Sequence, residues 1–462
     1  MVSIFEKYKI YIAAIISVFA INIFSWRLPF FWDTILTSTI TQHFFENGFG
    51  NFIPPPQFDA GHPPLFYIYI TLVFKLFGKS LISAHLGMLP FHLLGVVAFI
   101  RLLEHFAFPL RAQWLGFLLF MIMPTALTQY SLISYDAVLL SLYLTALVAF
   151  FENRKLVFSF VLIGIVGVSL RGLFCVASLA VTIFLLNKNN FKSTFNWILL
   201  LLPAIVIISF WYGYHYKETG WLLSTNAEGW AQQRGVVNIK GLLKNGISIA
   251  RCFFDVGIFV LSLISLWYLI LYKKINENII VWLVPAVLFS VVFLPFSNPI
   301  NHRYFLIVYV LMLLSVIPIL MSKKIIFTIV TIGVLMFGHF LIYPQPISNG
   351  WDCSLVHIGY SLNKKYVLET MENSYHIDRS KVGAVFPVNT SLYQSDMLAD
   401  TIRMLNVNGK SIDSLEYVLY ATVCNDFSDE QLTQLKQWNP LFTYRSFMTE
   451  MIVYKNPKFH TP

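Results

Sequence analysis

The sequence alternates between long apolar runs and short polar segments. Most of the runs approach the length of a membrane-crossing helix, and several fall short of the roughly 20 residues that a perpendicular span needs. We expect the shorter helices to extend into flanking polar residues. The runs lie near residues 10–26, 82–100, 113–128, 137–151, 156–170, 173–186, 195–212, 253–272, 279–296, 304–321 and 325–343. This pattern predicts a polytopic α-helical membrane protein with about eleven spans.

A further apolar segment, residues 65–77, is too short to cross. As a helix it would extend about 20 Å, against a hydrocarbon core of about 30 Å. A crossing here would also move every later loop to the other side of the membrane. We therefore predict an interfacial or re-entrant helix inside a first outer loop, residues 27–81.

Basic residues indicate the orientation. If the N-terminus is cytoplasmic, six of the segments on that side carry a basic pair, as the positive-inside rule requires. These pairs are Lys7/Lys9, Arg101/Arg111, Arg154/Lys155, Lys188/Lys192, Lys273/Lys274 and Lys323/Lys324. The outer loop 213–252 is the exception, since it also holds several cations. We interpret the first run as an uncleaved helix and expect the C-terminus on the outer face.

The C-terminal region has a different composition. Residues 344–462 alternate short strand-like runs with helix-like ones, which predicts a small α/β domain after a membrane domain of residues 1–343. The expected strands are 382–388, 417–424 and 447–454, and the expected helices are 392–405 and 429–438. Cys353 and Cys424 both fall in this domain, where they either pair or stay as free thiols.

Composition supports a membrane protein and excludes other classes. The chain is 57% hydrophobic and 12% charged, whereas soluble domains have about a quarter of their residues charged. The net charge of +9 does not indicate nucleic-acid binding, because the cations are scattered over loops and form no basic stripe. Four cysteines without CxxC spacing argue against a zinc or redox motif.

The first outer loop carries the most prominent candidate chemistry. Asp33 follows the first apolar run, and Asp59 and His62 belong to the segment FDAGHPPL, residues 58–65. Asp33 is either a helix N-cap or a general base at the membrane boundary, and the two roles are compatible. Asp59 and His62 either form a solvated turn or shape a substrate site. A divalent cation such as Mg or Mn is a further possibility, with no cofactor required.

Other ionisable groups fall on the same predicted face, and such groups at membrane depth tend to mark function. Asp136 opens a span, where an N-cap is the first interpretation and substrate binding the second. Arg303 and Tyr304 open another span, and the arginine either snorkels or binds phosphate through its guanidinium fork. Arg171 lies at the end of a span, and Arg234 lies in the outer loop 213–252.

These residues resemble the GT-C superfamily of membrane glycosyltransferases, of the protein O-mannosyltransferase and lipid A aminoarabinose transferase type. Such enzymes have an early Asp in a long outer loop, a Phe-Asp-x-His-Pro-Pro-like motif and an apolar segment ending in Phe-Gly. This chain has Asp33, residues 58–65 and Phe77-Gly78, followed by Arg303-Tyr304 and an outer domain. It departs from the pattern in Thr34, where many members have Glu, and in one extra residue between Asp59 and His62.

The resemblance implies a multi-pass enzyme of the bacterial inner membrane that faces the periplasm. It implies a polyprenyl-phosphate-sugar donor and an acceptor hydroxyl on a glycan, lipid or protein. Asp33 would be the base of an inverting transfer, Arg303 would stabilise the departing phosphate with Arg171 or Arg234, and Asp59 and His62 would shape the sugar or acceptor site. The alternatives are a transporter or flippase of lipid-linked sugars, a glycan polymerase or ligase of another fold, and an inactive relative.

Overall fold

The computed structural model describes residues 4–222, 234–255, 257–272, 275–297, 299–341, 351–424, 426–446 and 448–459. In these ranges the apolar runs form helices, because a helix satisfies its own backbone hydrogen bonds where water is absent. The helices are α1 (Ile4–Ser25), α2 (Thr34–Asn47), α3 (Leu65–Phe77), α4 (Leu81–His105), α5 (Leu110–Ile122), α6 (Pro124–Ser131), α7 (Tyr135–Phe151), α8 (Lys155–Val168), α9 (Arg171–Leu186), α10 (Phe191–Leu199), α11 (Leu202–Thr219), α12 (Ile239–Phe253), α13 (Ile258–Leu271), α14 (Glu277–Phe293), α15 (Leu306–Ser322) and α16 (Ile325–Gly338).

Two predicted runs are bent. The run at 113–128 is divided into α5 and α6, which meet at 63°. Met123 between them is extended because Pro124 disfavours a helical conformation in the residue before it. The run at 253–272 covers only α13, and α12 precedes it at an angle of 91°. Gly257 starts α13 with a φ of +75°, a conformation that favours glycine.

Among the described residues, four helical segments are long and apolar enough to cross a membrane, and six are if each bent pair counts as one span. The four are Tyr8–Ser25, Leu81–His105, Phe191–Thr219 and His302–Ser322. The shorter apolar helices among the described residues have 13 to 17 residues. The protein is thus a multi-pass helical membrane protein. A count of eleven spans requires the shorter helices to cross as well and stays a prediction.

Two helices, α7 and α15, form the centre of the membrane part. Nearly all of their side chains are buried, as expected for helices that are apolar on every side. α4 and α8 pack on α7, and α13 and α14 pack on α15. Asp136 lies in the first turn of α7 and the turn His302–Phe305 directly precedes α15, so Asp136 and Arg303 meet at one end of the bundle.

The first loop is built of α2, a short turn at Pro56–Phe58, and α3. The segment 65–77 is a helix, as predicted, and it begins directly after Pro63-Pro64. It packs on α2, α4 and α8. The loop therefore forms a fixed cap on the bundle and holds Asp33 and residues 58–65 in place.

The C-terminal part is a small α/β domain around a five-stranded sheet. Its strand order is β2-β1-β3-β5-β4, with β1 parallel to β2 and β3, and β5 antiparallel to β3 and β4. The elements are α17 (Val356–Asn373), β1 (Val382–Ala384), α18 (Leu392–Asp396), β2 (Leu405–Asn406), β3 (Tyr417–Ala421), α19 (Asp429–Leu435), β4 (Asn439–Ser446) and β5 (Thr449–Lys455). The helix predicted over 392–405 ends at Asp396, and α17 and β4 were not predicted.

This domain lies against the first loop. Its apolar core includes Phe31 and Leu132 from the membrane part. The Phe30 N–H donates to the Ser395 carbonyl at 2.8 Å, and the Gln42 side chain donates to the Tyr393 carbonyl at 2.9 Å. The predicted boundary between 343 and 344 lies outside the described residues. Cys353 and Cys424 are both buried free thiols, so the disulfide alternative is wrong.

Candidate active site

A buried arginine connects three separate parts of the chain. Arg303 lies in the turn His302–Phe305, just before α15, and its side chain is 3% exposed. Its Nη2 binds Asp33 of the first loop, and its Nη1 lies 2.7 Å from Asp352 Oδ2 of the C-terminal region. Its Nε lies 3.7 Å from Asp136 Oδ2. A guanidinium has its five N–H groups in a planar fork, which suits several oxygen partners at once.

Arg171 is the second cation of this cluster. It opens α9, and its Nη1 lies 2.5 Å from Asp136 Oδ1. Its guanidinium carbon stands 4.4 Å from the ring centre of Tyr304 and 5.1 Å from that of Tyr135. Its Nη2 is buried and has no hydrogen-bond partner among the described residues. A buried donor of this kind is costly unless a ligand satisfies it.

The expected N-cap roles of the two acids differ from what the structure shows. Asp136 is not an N-cap: the Ser134 hydroxyl caps α7 and accepts from the Asp136 N–H, which leaves the carboxylate for Arg171. Asp33 precedes α2 without a capping hydrogen bond. The Thr34 hydroxyl accepts from the Phe31 N–H at 2.8 Å, a bond that lies before the helix. Both carboxylates are thus available to cations.

Asp59 is buried and does not form a solvated turn. Its Oδ2 lies 2.8 Å from His215 Nε2 of α11, and its Oδ1 accepts from the Gly61 N–H at 2.8 Å. Gly61 has a φ of +67°, and an added Cβ would stand 3.1 Å from Trp221 and 3.2 Å from Arg234. Asp59 therefore fixes the shape of residues 58–65 and is not exposed to a substrate.

His62 and Arg234 face the open space beside this turn. Arg234 donates to the Ala60 carbonyl, and the Leu170 N–H approaches His62 Nδ1 at 3.4 Å. Burial, together with the nearby guanidinium charges of Arg234 and Arg171, lowers the pKa of His62 to about 3. Because this value is far below neutrality, His62 is an uncharged hydrogen-bonding group between pH 5 and 8.

A cavity of about 730 Å³ lies between the first loop, the helix bundle and the C-terminal domain. Its charged or polar lining includes Asp33, His62, Tyr135, Arg171, Arg234 and Tyr304. Asp33 is 40% exposed, while Arg303 stands behind it in a small adjoining gap. The structure thus brings together all the predicted site residues except Asp59, with Asp136 and Arg303 just beneath the cavity wall.

Comparison with known proteins shows the fold. No protein-family model matches the sequence, and no curated protein does so. Among solved structures, two of ArnT from Cupriavidus metallidurans align over 96% of this chain and 97% of their own chain, each with a TM-score of 0.51 and 12% identity. One is bound to undecaprenyl phosphate and the other is in the apo state.

Arabinofuranosyltransferase AftD from Mycobacteria aligns over 97% of this chain and 40% of its own length, with a TM-score of 0.50 and 11% identity. Both proteins are membrane glycosyltransferases of the GT-C type. The chain has the GT-C fold. The resemblance read from the motif residues is thereby confirmed at the level of architecture.

Within the GT-C fold of this chain, sequence reasoning missed two partners of the site. Asp352 is buried, receives a hydrogen bond from Asn301 at 3.1 Å and pairs with Arg303. Burial raises the pKa of Asp352 and the Arg303 charge opposes that rise. His215 holds Asp59 from within α11. Asp352 stands on the predicted outer face just after the last apolar run, so the criterion that selected Asp33 applied to it as well.

The divalent cation considered from the sequence finds no ready ligand set. In the ranges that the structure describes, no three His, Cys, Asp or Glu side chains are grouped as metal ligands. Asp33, Asp136 and Asp352 contact guanidinium groups instead. Among the described residues, the cations that contact these three carboxylates are the guanidinium groups of Arg171 and Arg303.

Proposed function

We propose that this protein is an inverting membrane glycosyltransferase that moves a sugar from a polyprenyl-phosphate carrier to an acceptor hydroxyl. The observation that supports this proposal most is the ion pair of Asp33 with Arg303 at the wall of the large cavity. It places a carboxylate able to accept a proton directly beside a cation able to hold a phosphate.

The donor phosphate replaces the Asp33 carboxylate on Arg303. A phosphodiester carries one negative charge, so the exchange leaves the charge around Arg303 unchanged. Asp352 stays on Nη1 and keeps the guanidinium in place, while the unsatisfied Nη2 of Arg171 gains a partner. The exchange also frees Asp33, because a carboxylate paired with arginine is a weaker base than an unpaired one.

The reaction then follows from the two groups. Asp33 accepts the proton of the acceptor hydroxyl, and the hydroxyl oxygen forms a bond to the anomeric carbon of the donor sugar. The bond from that carbon to the phosphate oxygen breaks, and its electron pair goes to the phosphate. Attack opposite the leaving group inverts the anomeric configuration. The leaving phosphate gains a second negative charge, which Arg303 and Arg171 stabilise.

The surroundings support this assignment. Tyr304 and Tyr135 hold Arg171 at the cavity edge, and neutral His62 offers a hydrogen bond to a sugar without adding charge. Among proteins with a similar fold, ArnT was solved with undecaprenyl phosphate bound. That lipid has the carrier chemistry that we propose here, although 12% identity extends only to the fold.

We place the site on the extracytoplasmic face of a bacterial inner membrane, with the N-terminus in the cytoplasm. The basic pairs of the alternate loops support this orientation. The C-terminal domain then lies outside, above the first loop. A cysteine introduced at Lys436, which is exposed on this domain, should react with a membrane-impermeant maleimide in intact cells if the orientation is right.

The proposal predicts release of carrier phosphate by the purified protein. Incubated with a polyprenyl-phosphate sugar labelled in its phosphate, the protein in detergent should release labelled polyprenyl phosphate in proportion to sugar transferred. The measurement is separation of the two lipids by chromatography. A transporter or flippase would move the lipid across a vesicle membrane and leave the sugar–phosphate bond intact, so transport without release would contradict the proposal.

A further inference from the structure

The C-terminal domain contributes its own polar wall to the large cavity. Its lining side chains there include Asn389, Thr390, Arg403 and Asn406. Arg403 and Asn406 lie at and beside β2, which is an edge strand of the sheet. The cavity therefore has a polar surface that the proposed chemistry at Asp33 and Arg303 does not use.

Among the described residues, Arg403 differs from the other cations that line the cavity in having no charged or hydrogen-bonded partner. Arg171 pairs with Asp136, and Arg234 donates to the Ala60 carbonyl. No ion pair or side-chain hydrogen bond of Arg403 exists within the described part of the chain, and its side chain is exposed. The Asn389 side chain lines the same wall. Such donors in a cavity wall suit an anionic ligand.

The segment that carries Arg403 is held in position. Asp400 pairs with Arg379, receives the Ile402 N–H at 2.9 Å and offers its own carbonyl to the Tyr393 N–H at 2.7 Å. These bonds fix the backbone three residues before Arg403. A pre-organised segment loses less entropy when it binds a ligand than a mobile one.

The charge of the cavity favours an anion as well. Its described lining contains the three guanidinium groups of Arg171, Arg234 and Arg403 against the single carboxylate of Asp33. The donor phosphate accounts for the cations at the bundle end. The cation on the C-terminal domain is then left for the second substrate.

We infer that Arg403, with the side-chain amides of Asn389 and Asn406, forms an acceptor subsite for a glycan that carries a phosphate or carboxylate. The inference rests on the proposed function, since it assigns the second substrate of that same site. The anionic group binds Arg403, and this contact directs a hydroxyl of the same acceptor toward Asp33. Arg403 is thus a specificity-determining residue, and a neutral acceptor lacks its contact.

Equilibrium binding tests this subsite apart from the donor site. The probe is labelled hexose 6-phosphate, bound to the detergent-solubilised protein in the presence of saturating dodecyl phosphate, which occupies the donor phosphate site. Glucuronic acid replaces the probe in a parallel series to represent the carboxylate. Free glucose is the uncharged comparison. Arg403→Gln is the test variant, and Arg445→Gln is its matched control, because Arg445 is exposed on β4 outside the cavity.

We expect hexose 6-phosphate to bind the wild-type protein and Arg445→Gln equally, and Arg403→Gln about tenfold more weakly. Glucuronic acid binding at the same site would extend the assignment to carboxylates, and its failure would restrict the subsite to phosphate. Equal binding by Arg403→Gln and wild type, or equal binding of glucose and the phosphate, would overturn the inference. Failure of dodecyl phosphate itself to bind would count against the proposed function instead.

Discussion

Asp33→Asn is expected to lower the rate of sugar transfer by about 10² to 10⁴-fold, the usual contribution of a general base. Asparagine keeps the size of the side chain but has no basic oxygen to accept the acceptor proton. The measurement is the initial rate of polyprenyl phosphate release and product formation by the purified variant. Both should fall together, because they report the same step.

The variant should still fold, since Asp33 is 40% exposed and Arg303 keeps Asp352 and Asp136. Glu46→Gln is a suitable control, because Glu46 lies near the end of α2, the helix that Asp33 precedes, and pairs with Lys79 away from the cavity. We expect near wild-type activity for that control. If Asp33→Asn turned over at the wild-type rate while remaining folded, Asp33 would not be the base.

Arg303→Gln is expected to affect both stability and donor binding. Removing the guanidinium leaves Asp352 buried without its cation, and breaking a buried ion pair in this way typically costs about 3–5 kcal/mol. Binding of the donor phosphate should weaken as well, because its central partner is gone. Thermal unfolding in detergent measures the first effect, and dodecyl phosphate binding measures the second.

A second variant separates the two effects. In Arg303→Gln/Asp352→Asn the uncompensated carboxylate is also neutralised, so much of the lost stability should return. Donor binding should stay weak, because the cation is still absent. If the double variant recovered donor binding together with stability, Arg303 would serve only the fold. Wild-type donor affinity in the single variant Arg303→Gln would lead to the same conclusion.

The membrane helices and their approximate positions could be predicted because hydrophobic length is a local property of the sequence. Breaks were harder. Pro124 gave a local signal for the bend between α5 and α6, yet the apolar run continued past it. The missed helix α17 is amphipathic, with Val356, Tyr360 and Val367 on its buried side. Because polar residues separate these apolar positions, the helix was not predicted from hydrophobic runs.

The acids and arginines of the site could be predicted one by one, because charged groups at the ends of apolar runs need a reason to be there. Their pairings could not. Asp33 and Arg303 are 270 residues apart, and only the packing of the first loop on the bundle brings them together. Asp59, like Asp33, is an acid in the first outer loop, but its carboxylate is already bound by His215. Asp352 reaches the site because its turn packs on α6 and on the Arg303 turn, where Gln129 and Asn301 donate hydrogen bonds to it.

A structure of the protein with a bound polyprenyl phosphate would show whether Arg303 exchanges the Asp33 carboxylate for the donor phosphate. We expect the phosphate to contact Arg303 and the Nη2 of Arg171, with the Asp33 carboxylate displaced from Arg303 into the cavity. A phosphate held only by other cations, with the Asp33–Arg303 pair intact, would contradict the proposed exchange and the mechanism that depends on it.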